Sequence, residues 1–450
     1  MDSSPAPSGY TSLRMAADGA LIGLCQSRHA PATSWTVTAL ILWRLLVKEN
    51  ELIDETPART ATFATDDRLH QSATVARAVY IHVPFCLHHC GYCDFALVAN
   101  RDHLIPQYLE ALNNELQAHR RIAGDVVEVD TIFVGGGTPT HLSPETLQNL
   151  FTLIYQHFRP TINAEISVEA NPDGLCTERL DVLRENGVNR LSLGVQSFDD
   201  AVLRTLERTH TGAQAVETVQ HCAQWIPNVS LDLIFGVPEQ TAASWRQTID
   251  VAITLPVRHI STYGLTFEKD TPFFRREQHG QLKRTPDELE RQMYLEAISK
   301  LTDAGLRHYE VSNFAHPDSE CRHNMVYWNA DEYFAFGPGA ASYLRGVRRT
   351  NVRSVVRWLK AWQQGETAVE ESEELSNEEK AREAIMLALR MRKGVNVTAF
   401  EQRFGLCFAE LSGAALQQHL DDGFLKQQSD FVSLTTEGLL IADTIIADFL

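Results

Sequence analysis

From residue 78 onward, short apolar runs alternate with longer segments in which apolar positions recur every three or four residues. The runs are 78–83, 129–134, 164–169, 190–195, 229–235 and 259–264, rich in Val and Ile. Their length and branched side chains predict buried strands. Segments of helical period lie between them at about 104–120, 143–157, 177–187, 212–225 and 241–253, and another at about 286–304 follows the sixth run. Ser143-Pro144 predicts an N-cap with proline at the first helical position. Thr285-Pro286-Asp287-Glu288 predicts a capping box with the same proline. Leu289, Met293, Ala297 and Leu301 recur every four residues, a stripe that faces a core. Alternation of this kind predicts an α/β fold of parallel βα units. Six units are too few to close an eightfold barrel, and an open, partial (β/α)6 barrel over residues 77–305 fits.

The flanks read differently. Residues 1–76 form a separate extension, mostly disordered by composition, with one short helix over 36–54. A targeting segment, an added extension and a mis-assigned start would look alike here. Residues 306–375 connect onward: 307–314 predicts one more strand, and the turn-rich 336–340 returns toward the rim. Residues 376–450 predict a small winged-helix-like domain. Ser376-Asn377-Glu378-Glu379 opens a helix to about 391, helices follow at 397–404 and 409–421, a β wing at 423–434 and a last helix at 436–449.

Charge narrows the partners. The 450 residues carry a net charge of −18. That argues against nucleic acid or an anionic membrane as the main partner. The C-terminal segment has no basic cluster, so its helices suit a lid or a docking role rather than groove reading. The most apolar stretch, 37–47, carries Arg44 and falls short of the roughly 18 residues of a membrane span; peripheral membrane contact stays open. Cys25, Cys176, Cys222, Cys321 and Cys407 are scattered singly, which points to a reducing, cytoplasmic setting.

The chemistry starts where the first run ends. Residues 80–95 read Y-I-H-V-P-F-C-L-H-H-C-G-Y-C-D-F, which places Cys86, Cys90 and Cys93 in a C-x3-C-x2-C loop. Thiolates ligate iron–sulfur clusters, and a [4Fe–4S] cube normally takes four. Three in one loop leave one iron open to a small molecule. A structural zinc site wants four N/S ligands in paired spacing; His82, His88 and His89 keep that alternative in view.

In parallel βα folds, ligand groups gather at the C-terminal ends of strands. Here the second run ends in Gly135-Gly136-Gly137-Thr138-Pro139, the third in Glu169-Ala170-Asn171-Pro172 and the fourth in Gly194-Val195-Gln196-Ser197, while the fifth carries Asp232. Each alone has a plain reading, as a tight turn, a loop cap or a structural hydrogen bond. In register after successive strands, they describe one rim. Beyond it, Arg322-His323-Asn324-Met325-Val326-Tyr327-Trp328 offers an imidazole suited to heme iron and aromatics suited to a porphyrin plane; a core histidine beside packing aromatics is the plainer alternative.

The cysteine run, with Tyr92 before its last cysteine, resembles the signature of the radical S-adenosylmethionine (SAM) superfamily. Y-I-H-V-P-F-C, G-G-G-T-P-T, E-A-N-P, G-V-Q-S-F and L-D-L-I-F-G-V-P resemble the oxygen-independent coproporphyrinogen oxidase group, and the H-N-x-x-Y-W run resembles its HemW-like branch. The resemblance covers nearly everything from Tyr80 to the C-terminus. It implies a radical-SAM barrel, a [4Fe–4S] cluster on Cys86, Cys90 and Cys93, and SAM contacts from Tyr80, Tyr92, Gly136, Gly137, Thr138, Glu169, Gln196, Arg208 and Asp232. It also implies heme, with His323 as the candidate ligand, and heme-receiving client proteins such as respiratory-chain components.

Two functions fit that resemblance: a heme chaperone and a coproporphyrinogen III dehydrogenase. The dehydrogenases carry one further cysteine in the loop, where this chain has Phe95. That difference and the H-N-x-x-Y-W run favour the chaperone. A radical-SAM methyltransferase would need methyl-carrying cysteines or a cobalamin-binding region, and neither is evident.

Overall fold

The computed structural model describes residues 76–123 and 126–450. The expected helix over 36–54, and nearly all of the extension around it, lie outside the described residues. Strand β1 (Ala78–Val83) buries Val79, Ile81 and Val83 on one face. Tyr80 and His82 alternate to the other face, toward the interior of the barrel. Strands β2 (Val127–Gly136), β3 (Phe158–Ala170), β4 (Arg190–Gln196), β5 (Asn228–Phe235) and β6 (His259–Gly264) follow side by side, all parallel.

Helices α1 (Ile105–Ala123), α2 (Pro144–His157), α3 (Thr177–Glu185), α4 (Gly212–Cys222) and α5 (Ala242–Ala252) make the crossovers, and α6 (Asp287–Asp303) follows β6. Their apolar stripes bury residues such as Leu112, Leu150, Leu183, Val219, Ile249 and Met293 against the outer face of the sheet. Each such side chain contributes roughly 1.5–3 kcal/mol. The six-unit open barrel expected from the alternation is the observed core. Ser143 caps α2 as expected, accepting the Thr146 N–H. The capping box expected at Thr285 does not form. Its hydroxyl donates instead to Val237 O beyond β5, so α6 starts one residue later, at Asp287, with an acidic first turn.

The sheet extends beyond β1 and beyond β6 at its two edges. The expected single strand over 307–314 is split into β7 (Arg307–His308) and β8 (Asn313–Ala315), an antiparallel pair beside β6. The reason lies in its middle: Val311 N–H donates to Arg390 O, and Arg392 N–H donates to Tyr309 O. Those backbone groups are thus committed to the C-terminal segment. At the other edge, β9 (Phe334–Phe336) pairs parallel with β1.

After β9 the chain turns back over His82. Gly337 stands so close that a Cβ would sit 2.6 Å from His82 O. Buried Glu115 of α1 holds this turn, accepting Gly337 N–H at 2.8 Å and Asn351 Nδ2 at 2.5 Å. Burial raises the Glu115 carboxyl from the usual 4.5 to about 7, with the two hydrogen bonds opposing. A raised acid stabilises the fold fully below the unfolded value and less as pH climbs through the folded one. Stability is therefore expected to fall between about pH 4.5 and 7, by on the order of 3 kcal/mol from this residue. Urea midpoints at pH 5 and pH 8 check this: Glu115→Gln should flatten the slope, and an unchanged slope would refute the assignment.

A three-stranded antiparallel sheet (Ala341–Leu344, Val347–Asn351, Val369–Glu374) leads to the C-terminal region. There Ser376 and Glu379 form the expected capping box on Asn377–Leu389. Two helices, Val397–Phe404 and Phe408–Asp421, and a second small antiparallel sheet follow. The expected last helix is interrupted at Ile441, giving Thr436–Leu440 and Ala442–Ala447. Among the described residues, no helix is long and apolar enough to cross a membrane.

Candidate functional site

A cavity of about 500 Å³ opens at the C-terminal ends of β1–β6 and runs inward to the helix Arg322–Trp328. All thirteen residues singled out from the sequence line it. It begins at the cysteine loop. Phe85–Cys86 pairs with Val98–Ala99, so the loop is closed at its neck. Cys93 N–H donates to Cys90 O, turning the chain between the second and third thiols. Gly91 lets the loop press on Phe273: a Cβ there would meet that ring at 2.6 Å. Tyr92 stands edge-on to the same ring.

Cys86 is buried, Cys90 and Cys93 are half-buried, and all three are free thiols. Among the described residues, no three His, Cys, Asp or Glu side chains converge to hold a single metal ion. His82, the buried histidine of the zinc alternative, has both ring nitrogens engaged: Tyr80 Oη lies 3.0 Å from Nδ1 and Ala96 O lies 2.7 Å from Nε2. Burial pushes the Cys86 thiol up to about 11 and Cys93 up to about 12. Such thiols ionise only against a strong local positive charge, which bound iron supplies. The donor set, three soft sulfurs on one short loop, fits an iron–sulfur cluster.

A chain of hydrogen bonds ties two of these sulfurs together from behind. Arg208 Nη2 donates to Asn171 Oδ1 at 2.7 Å and to Gly194 O at 2.8 Å, and Arg208 Nη1 points at Cys90 Sγ at 3.7 Å. Asn171 Nδ2 donates to Thr138 Oγ1 at 3.1 Å. Thr138 Oγ1 lies 3.3 Å from Cys86 Sγ. Either atom of that pair can donate while Cys86 is a thiol, and against a thiolate the hydroxyl is the donor. Both ends of the chain thus present a donor to a thiolate, which stabilises the charged form. Arg208, which a surface-charge reading would have put on a helix face, is a cavity residue.

The three glycines at the end of β2 serve three different neighbours. A Cβ on Gly135 would meet the Glu169 carboxylate at 2.8 Å, one on Gly136 the His82 ring at 2.3 Å, and one on Gly137 the Val83 and Phe85 carbonyls at 2.8 Å. Gly136 also has φ +106, a region that side chains rarely adopt. Their N–H groups are used inside the protein: Gly136 donates to Glu169 Oε2, Gly137 to Val83 O and Thr138 to Phe85 O. This turn therefore fixes the root of the cysteine loop. Burial, with the Asp232 charge adding, raises the Glu169 carboxyl to about 7 against the Gly136 hydrogen bond.

Gln196 ends β4 past a register shift, with φ +66. A backbone of this kind costs on the order of 1–3 kcal/mol and persists only where the surroundings hold it. Asp232, one strand over, accepts from Ser192 Oγ at 2.9 Å and is raised by burial. His323 forms the inner wall, 1% exposed. Its Nδ1 lies 2.8 Å from Thr131 Oγ1 and its Nε2 lies 2.9 Å from Tyr327 Oη. Phe133, Tyr80, Tyr327 and Tyr333 complete an aromatic wall around it.

Sequence reasoning named His82 only within the zinc alternative and passed over Asn171 and Thr131 as working residues. Asn171 had a signal, standing two positions after Glu169 at the same strand end. Thr131 had none, because its role depends on a partner 192 residues away.

The Radical SAM superfamily model matches residues 80–252, and the HemN C-terminal domain model matches residues 375–441. The chain is 36% identical over 376 residues to the heme chaperone HemW of Bacillus subtilis, spanning 83% of this chain and 99% of that protein. It is 35% identical over 374 residues to the heme chaperone HemW of Lactococcus lactis, spanning 83% and 97%. Among solved structures, the coproporphyrinogen III oxidase HemN of Escherichia coli matches with a TM-score of 0.74 and 24% identity, over 85% of this chain and 91% of that one. That last likeness concerns the fold.

Proposed function

The chain belongs to the radical SAM superfamily and, within it, to the heme chaperone HemW family, and on that footing we propose that it binds a [4Fe–4S] cluster, SAM and heme and delivers heme to client proteins. The observation that carries this reading is the single cavity: the cysteine loop lines one end, and the aromatic wall around His323 and Tyr327 lines the other. A cluster and a flat tetrapyrrole would share one space.

In this reading Cys86, Cys90 and Cys93 hold the cluster, which supplies an iron able to chelate SAM and pass it an electron. Thr138 and Arg208 keep the sulfurs charged and in place through the chain described above. Glu169 and Asp232 both line the cavity as acceptors suited to the ammonium and the ribose hydroxyls of SAM. Tyr80, Tyr92, Gly136, Gly137 and Gln196 shape the space between. At the inner end, Phe133 and Tyr333 offer apolar surface to a porphyrin. Client proteins, respiratory-chain components among them, would receive the heme in a reducing, cytoplasmic setting.

The dehydrogenase reading makes the opposite prediction on the same preparation. Anaerobically reconstituted protein, loaded with heme and mixed with heme-depleted respiratory vesicles, is expected to restore their heme absorbance. Given coproporphyrinogen III, SAM and a reductant, it is expected to form no vinyl product. Turnover of coproporphyrinogen without heme transfer would replace the chaperone by the dehydrogenase.

A further inference from the structure

We propose that Tyr327, through its phenolate oxygen, is the residue that binds ferric heme iron in this chain, with His323 as the positioning residue behind it. This rests on the heme reading above and deepens it. His323 is 1% exposed, and both of its ring nitrogens already face partners. Reaching an iron through Nε2 would cost the hydrogen bond to Tyr327, whose ring stands edge-on to the imidazole. Tyr327 lies one helical turn further on the same face and is partly exposed to the cavity. Both residues line the cavity, and the tyrosine is the more exposed of the two.

The phenols of the wall differ in what their partners permit. Tyr80 Oη meets His82 Nδ1, and His82 Nε2 faces a carbonyl, Ala96 O, which only accepts. In a neutral imidazole that fixes the proton on Nε2 and makes Nδ1 an acceptor. Tyr80 must therefore keep its proton. His323 is under no such constraint, because its second partner is the Thr131 hydroxyl, which can donate or accept. With Thr131 donating to Nδ1, Nε2 carries the proton and donates to Tyr327 Oη. Burial raises the Tyr327 phenol well above its usual value, so the phenolate would form against the charge of the iron, with the neutral imidazole donating to its oxygen. Burial lowers the His323 imidazole to about 3, which keeps it neutral in either arrangement. Tyr333, the third phenol, is buried and held beside Arg348.

The step balances without a redox partner. The Tyr327 O–H bond breaks, an O–Fe(III) bond forms, and the proton leaves to water in the cavity. The single negative charge of the phenolate offsets the single net positive charge of ferric heme. Tyrosine is an established axial ligand for heme iron.

The test is a hemin titration of the full-length, anaerobically reconstituted chain, followed by resonance Raman excited in the heme band. Wild type is expected to show iron–phenolate modes. Tyr327→Phe keeps the ring that packs edge-on to Tyr333 at 4.6 Å and loses only the hydroxyl. It should lose the modes and bind hemin at least tenfold more weakly, with an unchanged thermal midpoint. Tyr333→Phe should keep the modes. His323→Gln, which can still donate an N–H, should retain them at near wild-type affinity, while His323→Leu should weaken hemin binding several-fold. Modes that survive in Tyr327→Phe, or a wild type that binds hemin tightly without them, overturn the proposal and leave heme carriage standing. A wild type that takes up no hemin overturns both.

Discussion

Reconstituted anaerobically with iron and sulfide, the full chain is expected to hold about four irons, and the Cys86→Ala, Cys90→Ala, Cys93→Ala triple variant close to none. The expectation is this steep because the loop is built to carry sulfur and little else. Its neck is closed by the pairing of Phe85–Cys86 with Val98–Ala99, and its tip is pinned to Phe273 through Gly91. Arg353 Nη2 donates to Asp94 Oδ1 at 3.0 Å, fixing the residue after Cys93. Replacing thiols by methyl groups leaves these restraints in place, so the variant should fold. Iron and acid-labile sulfide assays against a thermal melt separate loss of ligand from loss of fold. A triple variant that kept the same iron would show the wrong ligands were chosen. Thr138→Val should behave differently. It keeps all three thiols and removes the hydroxyl 3.3 Å from Cys86, so iron should bind while the cluster's midpoint potential and retention shift. Outer-shell changes of this kind typically lower metal affinity 10–100-fold.

The sheet was legible in the sequence because buried parallel strands write themselves as short branched runs. Both 78–83 and 259–264 coincide with β1 and β6. The rim was legible too, since each polar cluster immediately follows a run. What could not be read was whatever depends on distant pairing. The three residues of β9 become a strand only because β1 offers an open edge, and the segment 307–314 breaks because residues 390–392 claim its middle. Second partners were equally hidden. Arg208 in L-E-R-T-H looks like any helix-surface charge until Asn171 and Gly194 O are placed beside it. The glycine run was legible as a tight turn, but not that its three hydrogens face Glu169, His82 and the backbone at Val83 and Phe85. Glycine at a strand end signals a close approach; only the fold says what approaches.

That close approach sets the second large effect. Gly136→Ala is expected to destabilise the chain by about 3 kcal/mol and to lose most bound iron, although the residue touches no sulfur. Two terms add. The backbone stands at φ +106, where an alanine is strained by on the order of 1–3 kcal/mol. The new methyl would also lie 2.3 Å from His82 Cε1 and 2.4 Å from Nδ1. The ring has nowhere to go while Tyr80 Oη holds one nitrogen and Ala96 O the other. If it swings away, it releases Ala96, three residues after Cys93, and the loop loses its inner anchor. Overpacking is thus converted into disorder of the cysteine ligands. A double-mutant cycle isolates that route. His82→Ala alone forfeits two hydrogen bonds, but in its background the methyl of Gly136→Ala meets empty space, leaving only the backbone strain. The two changes should fall short of additivity by about 1 kcal/mol or more in denaturant midpoints. Full additivity would mean that Gly136 acts through its own torsion alone and that the histidine is a bystander to the loop.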